Sequence, residues 1–331
     1  MDYTSLGRTG LSVSRLCLGT MNFGPRTEEA PAHAIMDTAL ERGVNFFDTA
    51  NVYGQQAGKG RTEEIIGSWF AQGGGRRERT VLATKVYGAM PTPGTDGSWP
   101  NDGRLSALNI RRACDASLKR LGTDHIDLYQ MHHVDRAAPW DEIWQAMEVL
   151  VQQGKILYVG SSNFAGWHIA TAQGAAARRN SLGLVAEQSY YNLMQRTVEL
   201  EVLPAAQHHG LGVIAWSPLQ GGLLGGVLRK EATNEGVGRG GERLRNLDPD
   251  QVARLQRWEE LCDKLGTEPG TVALAWLLHP PAVTAPIIGP RTAEQLDTAL
   301  AAVDLILDED TLAEIDRIFP GHKPAPEDYA W

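Results

Sequence analysis

The chain has 331 residues, 42% of them hydrophobic, and a formal charge of −9, which argues against general nucleic-acid binding. No apolar run of 18 or more residues suggests a membrane span, and Met1-Asp2-Tyr3-Thr4-Ser5 lacks the basic and apolar regions of a secretory signal. Three scattered cysteines (Cys17, Cys114, Cys262) give neither a disulfide framework nor a zinc pattern, so a cytoplasmic protein without a metal site is expected.

Tyr3-Thr4-Ser5-Leu6 and Leu11-Ser12-Val13-Ser14 flank Gly7-Arg8-Thr9-Gly10 and read as a β-hairpin. Eight apolar runs follow, near 16–19, 44–48, 80–85, 126–132, 156–161, 184–188, 212–217 and 284–288. Helical patterns fill the intervals, for example 28–42, 106–121, 140–153 and 292–302. A glycine marks several joints (Gly43, Gly122, Gly154, Gly210), as expected where a helix ends in the left-handed conformation before a strand. Eight alternating units predict an α/β (β/α)8 barrel, plugged by the N-terminal hairpin and followed by a C-terminal tail. Periodicity does not show closure, so an open doubly wound sheet remains the alternative. Length alone would suggest two domains, but no linker interrupts the pattern, and residues 1–331 read as one domain. Long loops are expected at 86–104 and 218–249, with the tail after Phe319.

Three successive strands end in ionisable side chains: Asp48, Lys85 and His132, with Tyr53 one short loop after the first. A parallel barrel gathers its ligand sites at the carboxyl ends of its strands, so these groups would meet at one rim. Tyr53 is the candidate general acid, because a nearby ammonium (Lys85) would favour phenolate and Asp48 would hold that ammonium charged. His132 would donate a hydrogen bond to a substrate oxygen. Taken singly, each has a plainer reading: Asp48 as a cap, Lys85 as a solvated lysine, His132 as a core histidine, Tyr53 as a half-buried aromatic. Their combination in this order favours proton-coupled chemistry at a carbonyl. Adjacent strand residues face opposite sides, so only one of His132 and His133 is expected to point into the mouth. Gly54-Gln55-Gln56-Ala57-Gly58-Lys59-Gly60 is one residue short of a phosphate loop and lacks its hydroxyl, so that reading is rejected.

The later strands end differently, in Gly160-Ser161-Ser162-Asn163, Glu187-Gln188 and Trp216-Ser217-Pro218-Leu219. Amide side chains suit a carboxamide and a tryptophan face suits a planar ring. Gly289-Pro290-Arg291-Thr292 precedes a helix, at a barrel's usual phosphate position. Half of the rim thus reads as acid–base machinery and half as a nucleotide site.

Asp48-Thr49-Ala50-Asn51-Val52-Tyr53-Gly54, Thr84-Lys85, Gln130-Met131-His132, Gly160-Ser161-Ser162-Asn163-Phe164 and Ile288-Gly289-Pro290-Arg291 resemble the motifs of the aldo-keto reductases, in order and over nearly the whole chain. The resemblance implies a monomer-like barrel that binds NADPH extended, without a Rossmann domain. It also implies hydride transfer from the nicotinamide to the carbonyl carbon of a small-molecule substrate as Tyr53 protonates the oxygen. Asp48, Tyr53, Lys85 and His132 take the catalytic roles. By the same resemblance Gly19, Thr20, Met21, Asp48, Ser162, Asn163, Gln188, Trp216, Ser217, Pro218, Leu219, Gly221, Gly289, Arg291 and Gln295 would contact the cofactor, with Arg291 at the 2′-phosphate. Where many relatives have a lysine in the loop after strand seven this chain has Val227, with Arg229 or Lys230 as replacements, and Thr298-Ala299 stands for the family's Glu-Asn pair. Loop position makes Phe23, Tyr87, Trp99, Tyr191 and, from the tail, Trp331 candidates for the substrate pocket.

Segments such as Gly221-Gly222-Leu223-Leu224-Gly225-Gly226 and Pro326-Glu327-Asp328-Tyr329-Ala330-Trp331 resemble an actinobacterial branch, some members of which are similar to reductases of nucleotide-activated keto-deoxysugars. Two alternatives to a general aldehyde or ketone reductase therefore stand, such a sugar reductase and a cofactor-sensing regulatory barrel without turnover. A Schiff-base lyase using Lys85 would leave Asn163, Gln188 and Trp216 unexplained. Neither nucleic acid nor membrane is an expected partner, and oligomerisation is not required.

Overall fold

The computed structural model describes residues 1–92, 94–96, 98–233 and 238–330. β1 (Tyr3–Ser5) and β2 (Ser12–Ser14) pair antiparallel as the predicted hairpin. Then β3 (Cys17–Gly19), α1 (Glu29–Glu41), β4 (Phe46–Asp48), α2 (Arg61–Phe70), β5 (Val81–Val86), α3 (Ala107–Leu121), β6 (Ile126–Met131), α4 (Trp140–Gln152), β7 (Ile156–Ser162), α5 (Gly166–Arg178), β8 (Leu184–Tyr190), α6 (Val198–His209) and β9 (Gly212–Trp216) alternate. After β9 come α7 (Val227–Ala232), α8 (Gly238–Leu244), α9 (Pro249–Leu265) and α10 (Pro269–Leu277), then β10 (Val283–Ile288), α11 (Ala293–Leu300) and α12 (Glu309–Ile318). β3 to β10 are all parallel and close in sequence order, β10 returning to β3. This is the (β/α)8 barrel with its hairpin plug, and the open sheet is excluded.

The sequence explains why the layers separate. Side chains alternate across each strand, so one set points into the barrel and the other towards the helices. Cys17, Phe46, Ala83, Leu128, Ala186, Ile214 and Ala285 fill the interior, joined from below by Leu6 and Val13 of the hairpin. Leu18, Phe47, Leu82, Tyr129 and Val213 face outward onto apolar helix stripes such as Ile35-Met36-Ala39 and Ile143-Met147-Leu150. In α3 both ends have a local cause: the Ser106 side chain accepts from the Asn109 N–H, and Gly122 closes the last turn at φ 62°.

The 218–249 interval, expected as a loop, instead carries α7 and α8 among its described residues. These short helices stand on tertiary support rather than on their own propensity: Glu259 of α9 accepts from the N–H groups of Leu228 and Arg229, both at 2.9 Å. The tail after Phe319 lies against α6, where the Ala325 N–H reaches the Leu200 carbonyl (2.8 Å) and the His322 N–H reaches Glu199 (2.8 Å).

The hairpin plug docks through backbone. Gly7 has φ +55°, and a Cβ there would sit 2.6 Å from the carbonyl oxygens of Val185 and Gly210. Gly7→Ala should therefore lower the unfolding free energy by about 1–3 kcal/mol. Urea unfolding would check this, and an unchanged midpoint would mean that the plug does not press on the barrel floor.

Candidate active site

Strand register brings the polar strand ends to one level: Gly19 opposite Asp48, Lys85 opposite Gln130, Ser162 opposite Gln188 and Tyr190 opposite Trp216. Lys85 is wholly buried and Asp48 nearly so. The Lys85 ammonium donates to Asp48 Oδ2 (2.5 Å), to the Thr49 carbonyl (2.9 Å) and to the Tyr53 hydroxyl oxygen (3.3 Å). Burial pulls the ammonium towards neutrality, but Asp48 and Tyr53 outweigh it, and its pKa lies above the ordinary lysine value. Lys85 is thus a permanent cation in a place where few cations survive.

Tyr53 rides on the turn after β4. Its position depends on Gly54, which has φ 136° and where a Cβ would lie 1.8 Å from the Gly58 carbonyl oxygen. The pKa of the phenol departs from the expectation. Burial raises it, Lys85 offsets only part of that rise, and the net shift is upward. Tyr53 therefore holds its proton at neutral pH, with the Lys85 ammonium 3.3 Å from its oxygen.

Asp48 has two further donors that motif reading missed. Gln130 and Gln188 give it side-chain N–H bonds of 3.0 and 2.8 Å, both to Oδ1. Strand register would have revealed Gln130, which sits directly opposite Lys85. For Gln188, expected at a carboxamide, the bond to Asp48 commits one amide hydrogen.

The His132 ring lies edge-on to Tyr53 with centroids 6.0 Å apart. Burial first, then the Lys85 and His133 charges, lower its pKa to about 3, so it is a neutral hydrogen-bonding group. The rings of His132 and His133 stack in parallel, 4.9 Å apart, with His132 half-buried beside Tyr53 and His133 exposed. β6 ends at Met131, so strand alternation no longer applies to them. Tyr87 packs edge-on to His133 at 5.2 Å.

On the other half of the rim, Asn163 (φ 61°) donates to the His132 carbonyl (3.1 Å) and accepts from the Trp216 indole N–H (3.0 Å). Trp216 stacks on Tyr190 (4.2 Å between centroids), so its indole is held on one face and at its N–H edge. Ser162 is buried and accepts from Asn163. Thr20 bonds the Asp48 carbonyl, Gly19 packs against Ile287, and Met21 is exposed at the rim. Ser217 and Gly221 have positive φ, Pro218 is buried, Leu219 packs on the core, and the Arg243 guanidinium lies over Gly221. Arg291 is exposed before α11, its N–H held by the Gln295 side chain (2.8 Å), and the Gly289 carbonyl accepts from Asn22 (3.0 Å). Arg229 is committed to Asp263 and Glu268, and Lys230 to the Gly225 carbonyl.

This geometry agrees with what the chain is similar to. The sequence model of the Aldo/keto reductase family matches residues 15–319. The chain belongs to the Aldo/keto reductase family. It is 56% identical to "Uncharacterized oxidoreductase YrpG" of Bacillus subtilis, across the whole of both chains. It is 34% identical to a probable voltage-gated potassium channel subunit beta of Arabidopsis thaliana, covering 99% of this chain and all of the relative. It is 33% identical to the versiconal hemiacetal acetate reductase of Aspergillus parasiticus, covering 98% of this chain and all of the relative.

The substrate-pocket expectations for this aldo/keto reductase need correction. Phe23 is fully buried in the core, with Thr62 bonded to its carbonyl. Tyr191 is buried too, its hydroxyl on Glu199 (2.6 Å) and its ring against Trp276, so it supports the tail rather than a pocket wall. In both cases the ring found more apolar area to bury inward than at the rim. Trp99 is 64% exposed and Tyr87 half-buried, and Trp331 lies outside the described residues.

Glu187 is a buried acid that the motifs did not single out. Burial pushes its pKa from 4.5 up to about 7, with Ser161, Phe164 and Ser189 as opposing donors. A carboxyl raised on folding contributes stability in its neutral form, and that contribution is lost as pH rises through about 7. Glu187→Gln, which cannot ionise, should therefore gain on the order of 2–3 kcal/mol over wild type between pH 5 and pH 8. Denaturant melts of both chains at the two pH values would measure the difference, and a constant difference would place the carboxyl in water. By NMR, the His132 ring should show no titration between pH 8 and pH 5. A midpoint near 6.5 would mean a solvated imidazole.

Proposed function

We propose that this aldo/keto reductase is an NADPH-dependent enzyme that reduces aldehyde or ketone carbonyls to alcohols, with Tyr53 as the general acid. The observation that carries the reading is the buried Lys85 ammonium between Asp48 (2.5 Å) and the Tyr53 hydroxyl (3.3 Å). When bound, the dinucleotide would supply hydride. Tyr53 would pass its proton to the carbonyl oxygen while Lys85 stabilises the phenolate left behind, and neutral His132 would orient the same oxygen through a hydrogen bond. Proton transfer of this kind contributes about 10²–10⁴-fold.

The donor set fits a nicotinamide dinucleotide. Ser162, Asn163 and Gln188 are amide and hydroxyl groups at one level, suited to a carboxamide, beside an indole already held at its edge. Ser217, Leu219 and Gly221 would border the pyrophosphate path, and Arg291 at the N-terminus of α11 would meet a 2′-phosphate, which favours NADPH over NADH. The names of two relatives, an oxidoreductase and a hemiacetal acetate reductase, support a reductase. Among the described residues no helix is long and apolar enough to cross a membrane.

The likeness to a potassium channel subunit beta favours a second reading, nucleotide sensing without physiological turnover. The complete tetrad counts against it. Tyr53→Phe should lose carbonyl reduction by about 10²–10⁴-fold while NADPH fluorescence still reports binding. A variant that kept most of the activity would rule out Tyr53 as the acid. Single-turnover oxidation of bound NADPH by 4-nitrobenzaldehyde separates the two readings, since a sensor would leave the cofactor reduced.

A further inference from the structure

Glu187 is wholly buried on β8 and forms no ion pair among the described residues. A buried carboxylate without a cation is costly and persists only where donors satisfy it. Its neighbour Gln188 points into the barrel at Asp48, so alternation places Glu187 and Ser189 on the outer face. There Oε1 accepts from the Phe164 N–H (3.0 Å) and the Ser189 hydroxyl (2.9 Å), and Oε2 accepts from the Ser161 hydroxyl. The Phe164 N–H belongs to the peptide that follows Asn163.

Asn163 is the hinge of the rim. It has φ +61°, a conformation that costs a non-glycine residue about 1 kcal/mol and persists only when its surroundings hold it. From that conformation its backbone N–H meets the Gln188 carbonyl (3.0 Å) and its side chain joins the His132 carbonyl to the Trp216 indole N–H. One amide therefore spans the acid–base half and the cofactor half.

We infer that Glu187 is a positioning residue: from behind the sheet it holds the Phe164 peptide, which keeps Asn163 left-handed and fixes the Trp216 indole for the nicotinamide ring. The inference rests on the proposed reductase reading for what the indole receives, but the link from Glu187 to the indole is a property of the protein alone. Gln at this position retains an oxygen acceptor for the Phe164 N–H, whereas Ala or Leu does not.

The test uses the full chain, with three readouts: the Trp216 indole N–H resonance without cofactor (assigned through Trp216→Phe), the NADPH Kd by fluorescence, and steady-state reduction of 4-nitrobenzaldehyde. Glu187→Ala should move the indole resonance and weaken NADPH binding about tenfold or more, the loss expected when a buried backbone N–H is left without its acceptor. At saturating NADPH kcat should fall by less than about threefold, because the Asp48–Lys85–Tyr53 hydrogen bonds do not run through Asn163. Glu187→Gln should restore both indole resonance and Kd. In an Asn163→Ala background Glu187→Ala should add less than about twofold to the Kd, since the two act in series. If Glu187→Ala does not fold, Glu187→Leu takes its place with the same outcomes. An unmoved resonance and Kd would overturn the inference, as would an effect that multiplies in full upon Asn163→Ala. A wild-type chain that binds no NADPH would sink the reductase reading instead, and the indole resonance would still judge the role of Glu187.

Discussion

A lysine ammonium withdrawn from water organises this molecule. Burying an isolated cation costs several kcal/mol, and Lys85 remains charged because Asp48 stands 2.5 Å away and the Thr49 carbonyl accepts a second hydrogen. Asp48 must then be held in turn, and Gln130 and Gln188 do this from across the barrel. The pair needs β4, β5, β6 and β8 at one level and in one register. Closure of the sheet brings β8 round to face β4 across the mouth, so that Gln188 reaches Asp48.

The same pair sets the chemistry. Tyr53 sits in a place that raises its pKa, beside a cation that would lower it, and burial prevails. The phenol is thus protonated at rest, while the charge that would stabilise its conjugate base is already in place. His132 lies in the same field, and burial together with Lys85 keeps it neutral. One buried charge thereby lies beside both a protonated phenol and a neutral imidazole, the states that the proposed donor and orienting roles require. The other half of the rim is built from amides, hydroxyls and a stacked indole.

Much of the architecture was legible before folding was considered. The strand pattern was readable because buried parallel strands are short, apolar and flanked by glycine-closed helices, as at Gly122 and Gly210. Helix α3 was predicted at 106–121 and is found at Ala107–Leu121 for the same reason. In contrast, α7 and α8 were not legible, since their stretch is rich in glycine and arginine and α7 depends on Glu259, about thirty residues later. Phe23 and Tyr191 were misplaced because loop position says nothing about which way a ring turns. The His132-His133 stack escaped a strand rule that stops applying one residue earlier.

By itself the sequence determined the order of elements and the identity of the groups at each strand end, because hydrophobic period and residue chemistry are local properties. It also carried the family motifs, since Asp48, Tyr53, Lys85 and His132 can be named without coordinates. Tertiary structure alone decided their partnerships: that Gln130 and Gln188 converge on Asp48, that Glu187 turns its carboxylate to the peptide behind Asn163, and that burial outweighs the lysine at Tyr53. Those outcomes depend on register, closure and distance from water. These are relations between segments far apart in the chain, and no single stretch of residues encodes them.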